Sequence, residues 1–63
     1  MEAVKRVLIA DADAAYRKAL RGIFEKRHDF IVVGETGAGE ELLRLARQND
    51  VDAVVMDVVL TGY

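Results

Sequence analysis

The chain has 63 residues, nine Lys plus Arg against eleven Asp plus Glu, and no Cys, Pro or Trp, which leaves room for one small domain and excludes a second. Without Cys, disulfides and thiolate metal centres are excluded, and His28 is the sole imidazole. A hydrophobic content of 52% argues against disorder, and a net charge of −2 offers no basic face to nucleic acid.

No apolar run approaches the roughly 18 residues of a membrane span, and the start M-E-A-V-K-R lacks the apolar middle of a signal peptide. The expectation is a cytoplasmic protein that meets no membrane and makes no direct contact with nucleic acid.

Residues 4–10 read V-K-R-V-L-I-A, and the continuous apolar second half predicts a strand covered on both faces. Asp11 and Asp13 supply helix-start carboxylates. Tyr16, Ala19, Leu20, Ile23 and Phe24 then recur at helical spacing, which predicts an amphipathic helix with Tyr16 and Phe24 in the core. Arg17, Lys18, Arg21 and Glu25 fall on its other face, and the basic end at Lys26, Arg27 and His28 suits the negative pole of the helix dipole.

Residues 30–33 predict a second strand, ended by Gly34, with Glu35 and Thr36 just beyond it. The turn G-A-G at 37–39 lacks the Lys and the glycine spacing of a phosphate loop and reads as a connector. Glu40 and Glu41 open a second helix with the apolar stripe Leu42, Leu43, Leu45 and Ala46, ending near Asn49, while Arg44, Arg47 and Gln48 make a solvated face. Residues 51–56, apolar but for Asp52, predict a third strand with Asp57 at its end.

Strand, helix, strand, helix, strand implies an α/β fold built from two right-handed βαβ units with three parallel strands. Two sheet orders are open, 1-2-3 with both helices on one face and 2-1-3 with a helix on each. In the 2-1-3 order Asp11 and Asp57 face each other at the switch point, where open α/β sheets bind ligands, with Asp13 and Glu35 close behind the same edge. Carboxylate oxygens, loop carbonyls and water suit Mg²⁺, and a carboxylate beside it can attack phosphorus. The plainer reading of Asp13 is a helix cap; Asp57 precedes no helix pattern it could cap.

The motifs V-L-I-A-D at 7–11, V-V-G-E at 32–35 and V-V-M-D at 54–57 resemble a bacterial response-regulator receiver domain, in the variety joined to helix-turn-helix DNA-binding domains. The resemblance implies the amino-terminal half of a flavodoxin-like fold in the 2-1-3 order, with residues 1–63 as a truncated receiver. It implies a module of two-component phosphorelay signalling, not an enzyme. Asp57 would accept a phosphoryl group from a histidine kinase, and Mg²⁺ would be held by Asp11, Asp57 and the backbone carbonyl of Val59. The family's second acid falls on Ala12, with Asp13 one residue later as a further candidate ligand, and Thr61 stands where the family usually has Pro. The Ser or Thr ending the family's fourth strand and the Lys ending its fifth fall beyond the matched half.

The competing expectation is a self-associating half-domain, natural or engineered, with no phosphorylation cycle. Its physical ground is the third strand, an apolar edge that needs a partner. A two-fold homo-oligomer pairing that strand with itself would give the continuous sheet 2-1-3-3-1-2.

Overall fold

The computed structural model describes residues 3–57. Five elements follow in chain order: β1 (Lys5–Ala10), α1 (Ala14–Glu25), β2 (Phe30–Thr36), α2 (Gly39–Gln48) and β3 (Ala53–Met56). The sheet order is β2-β1-β3 with both pairings parallel, the 2-1-3 arrangement.

The central strand carries the core. Val7, Leu8, Ile9 and Ala10 are each at most 1% exposed, as a continuous apolar run demands when both sheet faces are covered. Leu8 and Ala10 pack with Leu42 of α2, and Val33, Leu45, Val51 and Met56 close over them. Strand alternation sends Val7 and Ile9 to the opposite face, where α1 packs against β1 and β2.

Several boundaries depart from the sequence reading. β1 starts at Lys5, leaving Val4 half exposed. β2 does not stop at Gly34 but continues through Glu35 to Thr36. Its pairing with β1 shifts by one residue, from Val7 opposite Val32 to Leu8 opposite Gly34, so Val33 is the extra residue of a bulge. Gly34 serves close approach: a Cβ there would lie 3.0 Å from Cδ2 of the fully buried Leu8. β3 begins only at Ala53, because residue 52 pairs laterally instead: Asp52 N–H donates to the Arg6 carbonyl at 2.8 Å, and Arg6 N–H donates to Asp52 Oδ2 at 2.7 Å.

The α1 stripe is shallower than its periodicity suggests. No residue of α1 is buried, and Tyr16, expected in the core, is 54% exposed, as Ile23 is 60%. The helix sits over β1 and β2, so the side of its stripe toward β3 has little to cover it. Phe24 is half-buried and meets Phe30 edge-to-face at 5.3 Å between centroids. Of the apolar stripe of α2, Leu42 and Leu45 turn inward, and Leu43 and Ala46 are exposed. The basic end of α1 is used locally rather than on helix carbonyls. Arg27 makes a two-pronged bond with Asp29, both contacts at 2.9 Å, and lies over the Phe30 ring. The Arg27 guanidinium holds the Asp29 carboxyl below its ordinary range. His28 is exposed.

Gly34→Ala is expected to destabilise the fold by about 1–3 kcal/mol, since Leu8 must leave its packed rotamer to admit the methyl group. Chemical denaturation of both proteins measures this, and equal stability would show that Leu8 yields freely.

Candidate functional site

The acids are positioned by strand ends. Ala10 and Met56 are partners across β1 and β3, so the next residues, Asp11 and Asp57, leave the sheet side by side. Each backbone adds one more lateral bond: Asp57 N–H donates to the Ala10 carbonyl at 2.9 Å, and Asp11 N–H donates to the Thr36 carbonyl at 3.0 Å. The carboxyl ends of all three strands are thereby tied together.

Asp11 and Asp57 line one cavity of about 400 Å³, together with Tyr16 and Leu20 of α1 and Val55 and Met56 of β3. This is the crevice position that a sheet of this order provides for ligands. Asp11 is buried, 7% exposed, and its Oδ1 accepts the Asp13 N–H at 2.9 Å; Asp57 is half-buried.

The other two acids are engaged elsewhere. Asp13 is the N-cap of α1, its Oδ1 accepting the N–H groups of Ala15 at 2.9 Å and Tyr16 at 3.2 Å. Glu35, the partner of Ile9 in the sheet, is turned onto α1, where it pairs with Arg21 at 3.1 Å and Arg17 at 3.6 Å. Glu25, then Glu35, hold the Arg21 pKa above its ordinary value. Among the described residues no three His, Cys, Asp or Glu side chains converge on one point. Val59 and Thr61 lie outside the described residues.

Two carboxylates on a shared cavity suit a hard cation that keeps most of its waters. Mg²⁺ is commonly held by one or two carboxylates, with water and phosphate oxygens completing six positions. Asp11 and Asp57 therefore fit as the protein's share of such a site, and the exposed Ala12 adds no ligand. A larger cavity, about 510 Å³, lies along α1 between Arg17, Lys18, Arg21, Glu25 and Glu35. It contains neither Asp11 nor Asp57, and Arg21 on its wall is paired with both Glu25 and Glu35.

Two contributors escape the sequence reading. Arg17, placed there on the face of α1 opposite the apolar stripe, is half-buried and donates from Nη1 to the Asp11 carbonyl at 2.6 Å. Thr36 is buried, and its hydroxyl oxygen accepts the Ala38 N–H at 3.1 Å, shaping the turn into α2. The legible signal for Arg17 was the spacing of Arg17 and Arg21 one helical turn apart, opposite the lone Glu35.

Residues 7–63 match the response regulator receiver domain family. Among curated proteins, the chain is similar to a putative transcriptional regulator of Pseudomonas aeruginosa, 40% identical over 87% of this chain and 26% of that protein. It is similar to the transcriptional regulatory protein LiaR of Bacillus subtilis, 37% identical over 90% of this chain and 27% of LiaR. It is also similar to the response regulator UvrY of Escherichia coli, 38% identical over 89% of this chain and 26% of UvrY. The chain thus spans about a quarter of the length of these relatives. No solved structure matches at a comparable level of significance.

The capping role of Asp13 separates from any metal role by substitution. Asp13→Ser keeps a capping oxygen and should preserve stability to within about 0.5 kcal/mol, whereas Asp13→Ala should lose about 1 kcal/mol. Thermal melts followed by circular dichroism distinguish the two, and equal losses would remove the cap from the explanation.

Proposed function

The chain belongs to the response regulator receiver domain family, and from that premise we propose that Asp57 is the phosphoacceptor of a two-component phosphorelay and Asp11 its metal-binding partner. The reading rests on one observation above all: of the four acids near this sheet edge, these two come from neighbouring strand ends to line one cavity.

In this reading the donor is the phosphohistidine of a histidine kinase. An Asp57 carboxylate oxygen forms the new O–P bond as the P–N bond to the donor imidazole breaks, and the nitrogen keeps the electron pair. Phosphoryl transfer asks a protein mainly for positioning and for compensation of charge. Mg²⁺, when bound, supplies that compensation on the phosphoryl oxygens. Asp11 holds its carboxylate beside Asp57, fixed by the Asp13 N–H, and Tyr16 and Leu20 wall the cavity. The Val59 carbonyl completes the ligand set that the family resemblance implies, and Asp13, through the oxygen not used in capping, is its further candidate.

No helix among the described residues is long and apolar enough to cross a membrane, and we place the module in the cytoplasm. The names of the relatives, transcriptional regulators, support a transcriptional response downstream, with DNA contacted elsewhere than by these acidic residues. The outer flank of β3, where Val54 is 41% exposed, is where we place pairing with a second copy.

Asp57→Asn tests the chemistry. With Mg²⁺ and acetyl phosphate, the wild-type chain should gain one phosphoryl group by intact-mass measurement, and the Asn variant none. Its fold should be unchanged or slightly more stable, because one of two adjacent like charges is gone. A wild-type chain that gains no phosphoryl mass at any donor concentration overturns the reading. Sedimentation equilibrium tests the pairing: the expected result is a dimer that dissociates on dilution, and a monomer at every concentration ends that part of the proposal.

A further inference from the structure

The turn that carries Asp11 is held from outside by a side chain that never reaches the cavity. Arg17 Nη1 donates to the Asp11 carbonyl at 2.6 Å, while its Nε lies 3.6 Å from Glu35 Oε1. That Nε is buried without a hydrogen bond, so the guanidinium is not placed to perfect its pairing with Glu35. It is placed by the Asp11 carbonyl. Gly37 keeps the space open, since a Cβ there would lie 2.9 Å from Arg17 Nη1 and 3.6 Å from the Asp11 oxygen. Three segments therefore meet at one guanidinium: the turn after β1, the first turns of α1 and the turn after β2.

We propose that Arg17 is the positioning residue of the Asp11–Asp57 site, clamping the peptide that follows Asp11 so that its carboxylate stays on the shared cavity. The inference rests on the receiver reading and deepens it. Its force comes from Ala12. With no acid at that position, Asp11 is the acid of the β1 turn that lines the cavity, while Asp13 caps α1 through its Oδ1. Asp11 is itself steadied by two main-chain groups, the Thr36 carbonyl that its N–H reaches and the Asp13 N–H that its Oδ1 accepts. Rotation of the peptide between residues 11 and 12 would misplace the Asp13 N–H, and the Arg17 bond to the Asp11 carbonyl opposes that rotation. Outer groups that orient a metal ligand commonly govern affinity by one to two powers of ten.

Magnesium chloride titration followed by amide NMR at Ala12 and Asp13 tests this on the whole chain. Arg17→Met keeps the apolar stem and removes the fork, and Mg²⁺ affinity is expected to fall about ten-fold. Arg17→Lys should not restore it, since the shorter side chain ends in a single ammonium that does not put a donor where Nη1 meets the Asp11 carbonyl. Glu35→Gln, which leaves the Asp11 contact in place, should stay within about two-fold of wild type on the same reasoning. Gly37→Ala reaches the same point independently by displacing the guanidinium, and should weaken Mg²⁺ as Arg17→Met does.

Wild-type affinity in folded Arg17→Met overturns the proposal, as does an effect of Glu35→Gln as large as that of Arg17→Met. If Arg17→Met fails to fold, Gly37→Ala and Arg17→Lys decide it in the same way. If the wild-type chain shows no response to Mg²⁺, the receiver reading is what fails. The clamp is then judged in metal-free protein by hydrogen exchange at the Asp13 amide: lost protection in Arg17→Met or Gly37→Ala supports it, and unchanged protection overturns it.

Discussion

Everything in this molecule hangs on a four-residue apolar run buried on both faces. Val7, Leu8, Ile9 and Ala10 give up almost all contact with water, and a strand can do that only with another strand on each side and a helix over each face. That demand sets β1 at the centre, sends α2 over Leu8 and Ala10, and leaves α1 to cover Val7 and Ile9. The functional geometry is a by-product of the same demand. The residue after the buried run must leave the sheet between two neighbours, and that residue is Asp11.

The acidic edge shows how a small fold distinguishes like residues by what lies next to them. Asp13 is drawn to the bare N–H groups at the start of α1. Glu35 lies on the α1 face of β2 and meets two arginines one turn apart. Asp57 stands just past the end of β3, Asp11 is bound through its backbone and one oxygen, and both line the cavity.

A single glycine and a single arginine adjust the geometry further. The bulge at Val33 lets β2 continue past Gly34, which brings Glu35 and Thr36 level with Ile9 and Ala10. Without those two extra residues the Thr36 carbonyl would not reach Asp11, and Glu35 would not stand opposite the arginines of α1. Gly37 then leaves the space that Arg17 occupies. The β2 end and the Asp11 turn are thus one connected structure, built from parts 20 residues and more apart in the chain.

Much of this was legible in the residues. Element order, the parallel sheet and a first strand buried on both faces follow from apolar runs and helix starts, local patterns that the chain carries along its length, and Asp11 and Asp57 follow as neighbours once the order is 2-1-3. What depended on distant neighbours was not legible. Tyr16 has helical spacing for a core residue, but whether it is covered depends on where α1 lies across the sheet, and it lies over β1 and β2. Gly34 has the composition of a strand end, but the fully buried Leu8 opposite makes it a point of close approach within β2. Arg17 reads as a cation on the face of α1 opposite the apolar stripe until the turn after β2 is brought against it. Periodicity determines which side of an element is apolar; only the packed partner decides how much of that side is buried and which polar groups it meets.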